Sequence, residues 1–231
     1  MNILAVDSCS CVATGAVLRD GVLAAEFVIN DKKTHSVKLL PQIENMLSSI
    51  DADYGDMDFF ACTKGPGSFT GQRIGIATVK GLAHAVGKPV VGVSSLEAMA
   101  YNVPFFDGLI SPIMDARRSQ VYNSVLKFVN GVLTVIKSDR ALALSQLLDE
   151  LSGEKVIFLG DGVPVFKAEI SARLGANAYF APPHLLHLRG GSVAACAAGK
   201  IKNGEAVTYE KLLPSYLRMS QAERELKERG K

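Results

Sequence analysis

Two short turns constrain this chain more than any other feature. Asp20-Gly21 separates apolar segments 12–18 and 22–29, and Asn130-Gly131 separates 120–129 and 132–136. Asp-Gly and Asn-Gly readily take the positive φ angles of a two-residue hairpin turn, so each pair predicts an antiparallel hairpin. Each hairpin is flanked by segments that alternate between strand and helix patterns. One hairpin with alternating elements in each half predicts a duplicated α/β lobe.

In the first half, 2–6, 12–18 and 22–29 read as strands. From 36 to 50 the period changes, with Leu39, Ile43, Met46 and Ile50 on one helical face. Pro41 lies inside that pattern, so the helix either starts near it or bends there. A buried strand over 57–63 leads into the loop Lys64-Gly65-Pro66-Gly67-Ser68-Phe69-Thr70-Gly71. A helix is expected over 70–86, stopped by Gly87 in a left-handed cap. Strand 89–93 and helix 94–101 follow, with Ser94 and Glu97 spaced as a capping box. In the second half, strands are expected at 108–114, 120–129, 132–136 and 155–159. Helices are expected at 142–151, 164–174 and 191–201. The expected division is one lobe over 1–101 and a second over 102–231.

Composition narrows the function classes. A chain of 231 residues with 48% hydrophobic and 21% charged residues has the make-up of a folded globule. Its net charge of +2 lacks the strong basic excess of a dedicated nucleic-acid binder. Cys9, Cys11, Cys62 and Cys196 form no CxxC pair, and four cysteines are too few for a disulfide scaffold. No apolar run approaches the ~18 residues of a membrane span, and the start lacks a signal-peptide pattern. A cytoplasmic location is the expectation. The charges of the tail from Arg218 to Lys231 are mixed, which predicts a solvated end rather than a nucleic-acid arm.

Chemistry-bearing residues are sparse. The glycines at 65, 67 and 71 permit either a phosphate cradle or a tight β-to-α turn, but no Lys-Ser or Lys-Thr follows to make a P-loop. Asp7-Ser8 closes the first strand and Asp115 closes the strand before the second hairpin. These three are the candidate nucleotide contacts; a polar turn is the readier explanation of Asp7-Ser8 and an equal one of Asp115. His35, His84, His184 and His187 have no metal-ligand spacing. The helix after the loop carries Gly71, Gly75, Thr78 and Gly81. Glycine costs about 1 kcal/mol against alanine within a helix, so another helix or another chain is expected to approach closely there.

The run Lys64-Gly65-Pro66-Gly67-Ser68-Phe69-Thr70-Gly71-Gln72-Arg73-Ile74-Gly75 resembles the signature of the TsaB (YeaZ) family. Asp7-Ser8, the segment His35 to Pro41 and the segment Tyr216 to Arg224 match the same pattern. The resemblance implies an actin-like, Hsp70-like (ASKHA) two-lobe α/β fold, each lobe a mixed sheet with flanking helices. It also implies a scaffold subunit of the complex that makes threonylcarbamoyladenosine on tRNA. In the catalytic relative TsaD a His-x-x-x-His metal motif follows the strand equivalent to 90–93. Here those positions are Ser95 and Met99, so the resemblance implies no catalytic residue and no metal of its own. The implied partners are TsaD, then TsaE, with ATP and a metal used by the assembled complex and tRNA met only through it. The implied contact surface is Leu39, Ile43, Met46 and Ile50 with Gly71, Ile74, Gly75, Thr78 and Leu82. Without TsaD, a second copy of the chain is expected to occupy that surface as a homodimer. The competing reading is a stand-alone actin-like ATPase or kinase, or a glycoprotease-like hydrolase.

Overall fold

The computed structural model describes residues 1–31 and 35–218. The first sheet contains β1 (Asn2–Asp7), β2 (Ala13–Arg19), β3 (Val22–Ile29), β4 (Phe59–Thr63) and β5 (Val90–Val93), in the order β3-β2-β1-β4-β5. The second contains β6 (Leu109–Asp115), β7 (Gln120–Val129), β8 (Val132–Ala143), β9 (Val156–Leu159) and β10 (Ala178–Phe180), in the order β10-β9-β6-β7-β8. Read from the opposite edge, the second order reproduces the first. In each sheet the hairpin strands pair antiparallel and the later strands add in parallel. The expected pair of mixed-sheet lobes is therefore present. Asp20, Gly21, Asn130 and Gly131 all take positive φ, as their turns require.

The helices repeat as well. Helices α1 (His35–Ser48) and α2 (Phe69–Val86) flank β4, as α4 (Leu144–Glu150) and α5 (Val163–Leu174) flank β9. Helices α3 (Ser95–Ala100) and α6 (Gly190–Lys202) end the two repeats and exchange places. Helix α3 packs on β6 and β7, whereas α6 packs on β1 and β2, and the two helices touch. Both are rich in small residues, so the sheets close on them tightly. A Cβ at Gly190 would fall on the backbone of Gly15. The result is a central core between the sheets, including Ala5, Val93, Met99, Ile110, Leu126, Val193 and Ala197, and an outer core in each lobe. Residues 190–212 thus return to the first sheet, although residue 101 separates the strands of the two sheets.

Some local features depart from the expectations. Helix α1 begins six residues before Pro41 and continues through it. The amide missing at Pro41 would have served the carbonyl of Val37, a residue that is 74% exposed. Strand β8 runs to Ala143 instead of residue 136, because Lys137-Ser138-Asp139-Arg140 lies on a sheet edge where polar side chains are tolerated. The three-residue strand β10 is too short to show a period in sequence. Helix α2 matches its expectation, with Ser68 Oγ accepting from Gly71 N and Gly87 in a left-handed cap. Ser94 caps α3, but the Glu97 carboxylate pairs with Lys200 Nζ at 3.1 Å instead of turning back to Ser94.

Candidate functional site

A cavity of about 550 Å³ opens between the lobes. The β1–β2 turn (Cys9, Ser10, Cys11) and the start of α2 (Gly67 to Thr70) form one wall. Met114 to Arg117, Tyr122 and Asp161 form the other, and Arg218 closes the rim.

The first two candidate nucleotide contacts do not face this space. Asp7 is fully buried. Its Oδ1 accepts from Cys9 N at 2.9 Å and from Thr63 Oγ1, and its Oδ2 accepts from Ser10 N and Ser10 Oγ. Ser8 is also buried, with its Oγ donating to the Gly71 carbonyl at 2.8 Å. Both residues stitch β1 to β4 and α2: both carboxylate oxygens of Asp7 accept from the chain's own donors, and the Ser8 hydroxyl proton is given to the Gly71 carbonyl. Asp115 does line the cavity. Its Oδ1 accepts from Arg117 N at 2.8 Å and its Oδ2 pairs with Arg117 Nη1 at 3.3 Å.

Asp161, in the Gly160-Asp161-Gly162 turn, was not singled out by sequence reasoning, because one acid between glycines has no distinctive spacing. Burial first, then Asp115 nearby, raises its carboxyl from 3.8 to about 6. The native state therefore binds a proton more tightly than the unfolded chain. The resulting cost is absent below about pH 4, grows between pH 4 and 6, and is complete above that. Asp161→Asn keeps an acceptor for Asp115 N. It should raise stability by ~1–3 kcal/mol at pH 7.5 and by nothing at pH 4, as read by urea titration. A destabilised variant at pH 7.5 would contradict this account. Nearby, Cys11 Sγ lies 3.4 Å from His187 Nδ1. Desolvation raises the thiol to about 12 and lowers the imidazole from its usual value, which favours the neutral form of each.

The predicted partner surface needs correction. Leu39, Ile43 and Met46 are 1%, 0% and 6% exposed, packed into the outer core of their own lobe. The apolar stripe of α1 is the side that covers the sheet. Ile50 lies beyond the helix end and packs partly on the same core. Gly71 and Gly75 are buried, and a Cβ at either would meet Ser8. Their smallness serves contact between α2 and β1 within one lobe. Ile74, Thr78 and Leu82 are half-buried and keep surface outward. On α1 the outward apolar side chains are Val37 (74% exposed) and Leu40 (41%). Ser95 and Met99, at the positions of the relative's imidazoles, are both buried.

The segment 205–218 forms a strap from the first lobe to the second. Val207 pairs with Val90 at the edge of the first sheet, and Leu212 is buried over Gly92. Lys80 Nζ donates to the carbonyls of Glu210 and Leu212, and Ser215 N donates to the Lys64 carbonyl at 2.7 Å. Tyr216 stacks on Phe69 with centroids 4.5 Å apart, and Arg218 Nη1 donates to the Ala116 carbonyl across the cavity mouth. The tail from 219 on, including the last part of the family-like segment, lies outside the described residues.

Two lobes of one topology, with exchanged end helices and a cleft between the hairpin turns, define an actin-like two-lobe protein. The activator of the 2-hydroxyisocaproyl-CoA dehydratase from Clostridium difficile shares this fold at 12% identity, with a TM-score of 0.52 over 94% of this chain and 100% of that one. YeaZ from Pseudomonas aeruginosa is much nearer, with a TM-score of 0.81 at 26% identity over 94% of this chain and 99% of that one. Residues 22–226 match the family described as TsaD: tRNA N6-adenosine threonylcarbamoyltransferase. The tRNA threonylcarbamoyladenosine biosynthesis protein TsaB of Bacillus subtilis is 37% identical over 225 residues, 96% of each chain. The Escherichia coli protein of that name is 32% identical over 162 residues, 68% of this chain and 70% of that one. The chain belongs to this family, on its TsaB (YeaZ) side. Its involvement in tRNA threonylcarbamoyladenosine biosynthesis follows. No helix among the described residues is long and apolar enough to cross a membrane.

Proposed function

We propose that the chain is a non-catalytic scaffold subunit that docks TsaD and, with it, TsaE, in the cytoplasm. TsaD then transfers threonylcarbamoyl to the adenosine beside the anticodon of tRNA. ATP and a metal belong to the partners. The observation that carries this reading is the fate of Asp7 and Ser8. Every hydrogen-bonding position described for these residues is turned inward, which serves a scaffold and not a phosphate-transfer site. Ser95 and Met99 point the same way, since neither offers the imidazole that a catalytic metal site takes.

The docking surface is the outward side of α1 and α2, with Val37, Leu40, Ile74 and Leu82 around the exposed Ala77 and Gly81. No side chain bars Gly81, so a partner helix can approach there. In the absence of TsaD, the same patch on a second copy gives a two-fold homodimer. Val37→Glu combined with Leu40→Glu should leave the chain folded, because both side chains already face water. Burying two carboxylates in the contact should weaken capture by purified TsaD at least ~100-fold in a pull-down or titration. Undiminished capture by the folded variant would place the contact elsewhere. The purified chain should show no peptidase activity and negligible ATP turnover, and turnover abolished by a cleft substitution would favour an enzyme instead.

A further inference from the structure

The strap brings together charges and rings that are far apart in sequence. Tyr216 lies flat on Phe69, their rings 13° from parallel. Arg73 Nε donates to Tyr216 Oη at 3.0 Å, with its guanidinium 5.9 Å from the ring centre. On the other rim, Arg218 binds the Ala116 carbonyl of the β6–β7 turn. The next residues of that turn are Arg117, Arg118 and Ser119, at φ 65°, 56° and 55°. Three successive non-glycine residues in the left-handed region are costly, and this turn projects two exposed arginines into solvent. Asp115 balances Arg117, and Asp161 lies behind it. The ribbon Arg73–Tyr216–Phe69–Arg218–Arg117–Arg118 therefore combines four guanidinium groups, two carboxylates and a pair of rings along the cavity mouth. Helix α2 begins at Phe69, which adds positive potential there.

We infer that this ribbon is a direct contact surface for a single-stranded loop of RNA, with arginines on phosphates and a base stacked on the exposed part of Tyr216. Cationic groups interleaved with aromatic faces suit unpaired RNA, because phosphates supply the counter-charge and unstacked bases supply rings. The exposed apolar residues of the first two helices lie elsewhere, and on the strap the exposed apolar side chains are Leu213 and Tyr216, the latter beside the Arg73 guanidinium. The inference deepens the scaffold reading and rests on it, but it gives this chain a contact with the RNA rather than leaving recognition entirely to TsaD.

The test uses the full chain assembled with TsaD and a fluorescently labelled, unmodified tRNA transcript. Arg118→Glu and Arg73→Glu are compared with Lys137→Glu, an equal charge reversal on the exposed edge strand β8. Each ribbon reversal should lower tRNA affinity about five- to twentyfold at 0.1 M salt, and each should reduce the log–log salt slope by about one. Lys137→Glu should change affinity less than twofold. Tyr216→Ala should lower affinity for the transcript while leaving the salt slope unchanged, as a stacking contact would. Ribbon variants that assemble with TsaD and bind tRNA as wild type does would overturn the inference while leaving the scaffold reading intact. Equal losses from all three charge reversals would also overturn it, since only net charge would then matter. If the wild-type chain fails to assemble with TsaD at all, the scaffold reading fails, and direct titration of the chain alone with the transcript decides the ribbon separately.

Discussion

Gly71→Ala should leave little or no folded protein. The added Cβ would fall on the Ser8 carbonyl, with the Cys9 backbone next to it. Neither wall can retreat. Ser8 follows the central strand of the first sheet, and its hydroxyl is already bonded to the Gly71 carbonyl. Helix α2 is held against that same sheet by Ile76, Val79 and Ala83, which pack with β1 and β4 side chains in the outer core. A backbone clash between two pinned elements should cost more than ~4 kcal/mol, a large part of the stability of a domain this size. Gly75→Leu should act in the same way, because its Cβ would lie 2.8 Å from Ser8 Oγ. Gly81→Ala provides the contrast. Nothing lies near its Cβ, so the change should stabilise the helix by about 0.5–1 kcal/mol. Soluble yield and urea midpoints read all three. A Gly71→Ala midpoint close to wild type would show that α2 and β1 are less tightly joined than described.

Asp7→Ala should cost about 3–5 kcal/mol. It removes the acceptor of the buried donors Cys9 N, Ser10 N and Thr63 Oγ1, and one of the two acceptors of Ser10 Oγ. An enzyme reading of Asp7 predicts the opposite pattern, a lost activity with stability unchanged. Thermal or urea unfolding of the variant separates the two. A loss below ~1 kcal/mol would mean that the carboxylate is not the tie between the first turn and β4.

Much of the architecture can be read without coordinates because its signals are local. Positive φ at Asp-Gly and Asn-Gly and the Gly87 stop depend on a few neighbouring residues, and each appears where the pattern places it. The motif around Gly65 to Gly75 is likewise contiguous and specific enough to indicate the family. Periodicity is less complete evidence. It marks Leu39, Ile43 and Met46 as one face of a helix, but a buried face and a docking face share the same spacing. Only the position of the sheet shows that this stripe is spent on the chain's own core. The glycines of α2 present the same ambiguity, resolved by Ser8, which is 63 residues away from Gly71.

What the amino-acid sequence determined by itself was most of the elements, their duplicated order and the family, because turns, caps and contiguous motifs act over a few residues. Tertiary structure alone decided which surfaces remain available. The exchange of α3 and α6 between the lobes, the inward bonding of Asp7, and the contacts of Arg73 with Tyr216 and of Arg218 with the Ala116 carbonyl all depend on segments distant in sequence. A residue's type sets what chemistry it can do, but burial and hydrogen-bond partners decide whether that capacity faces a ligand or the protein's own backbone.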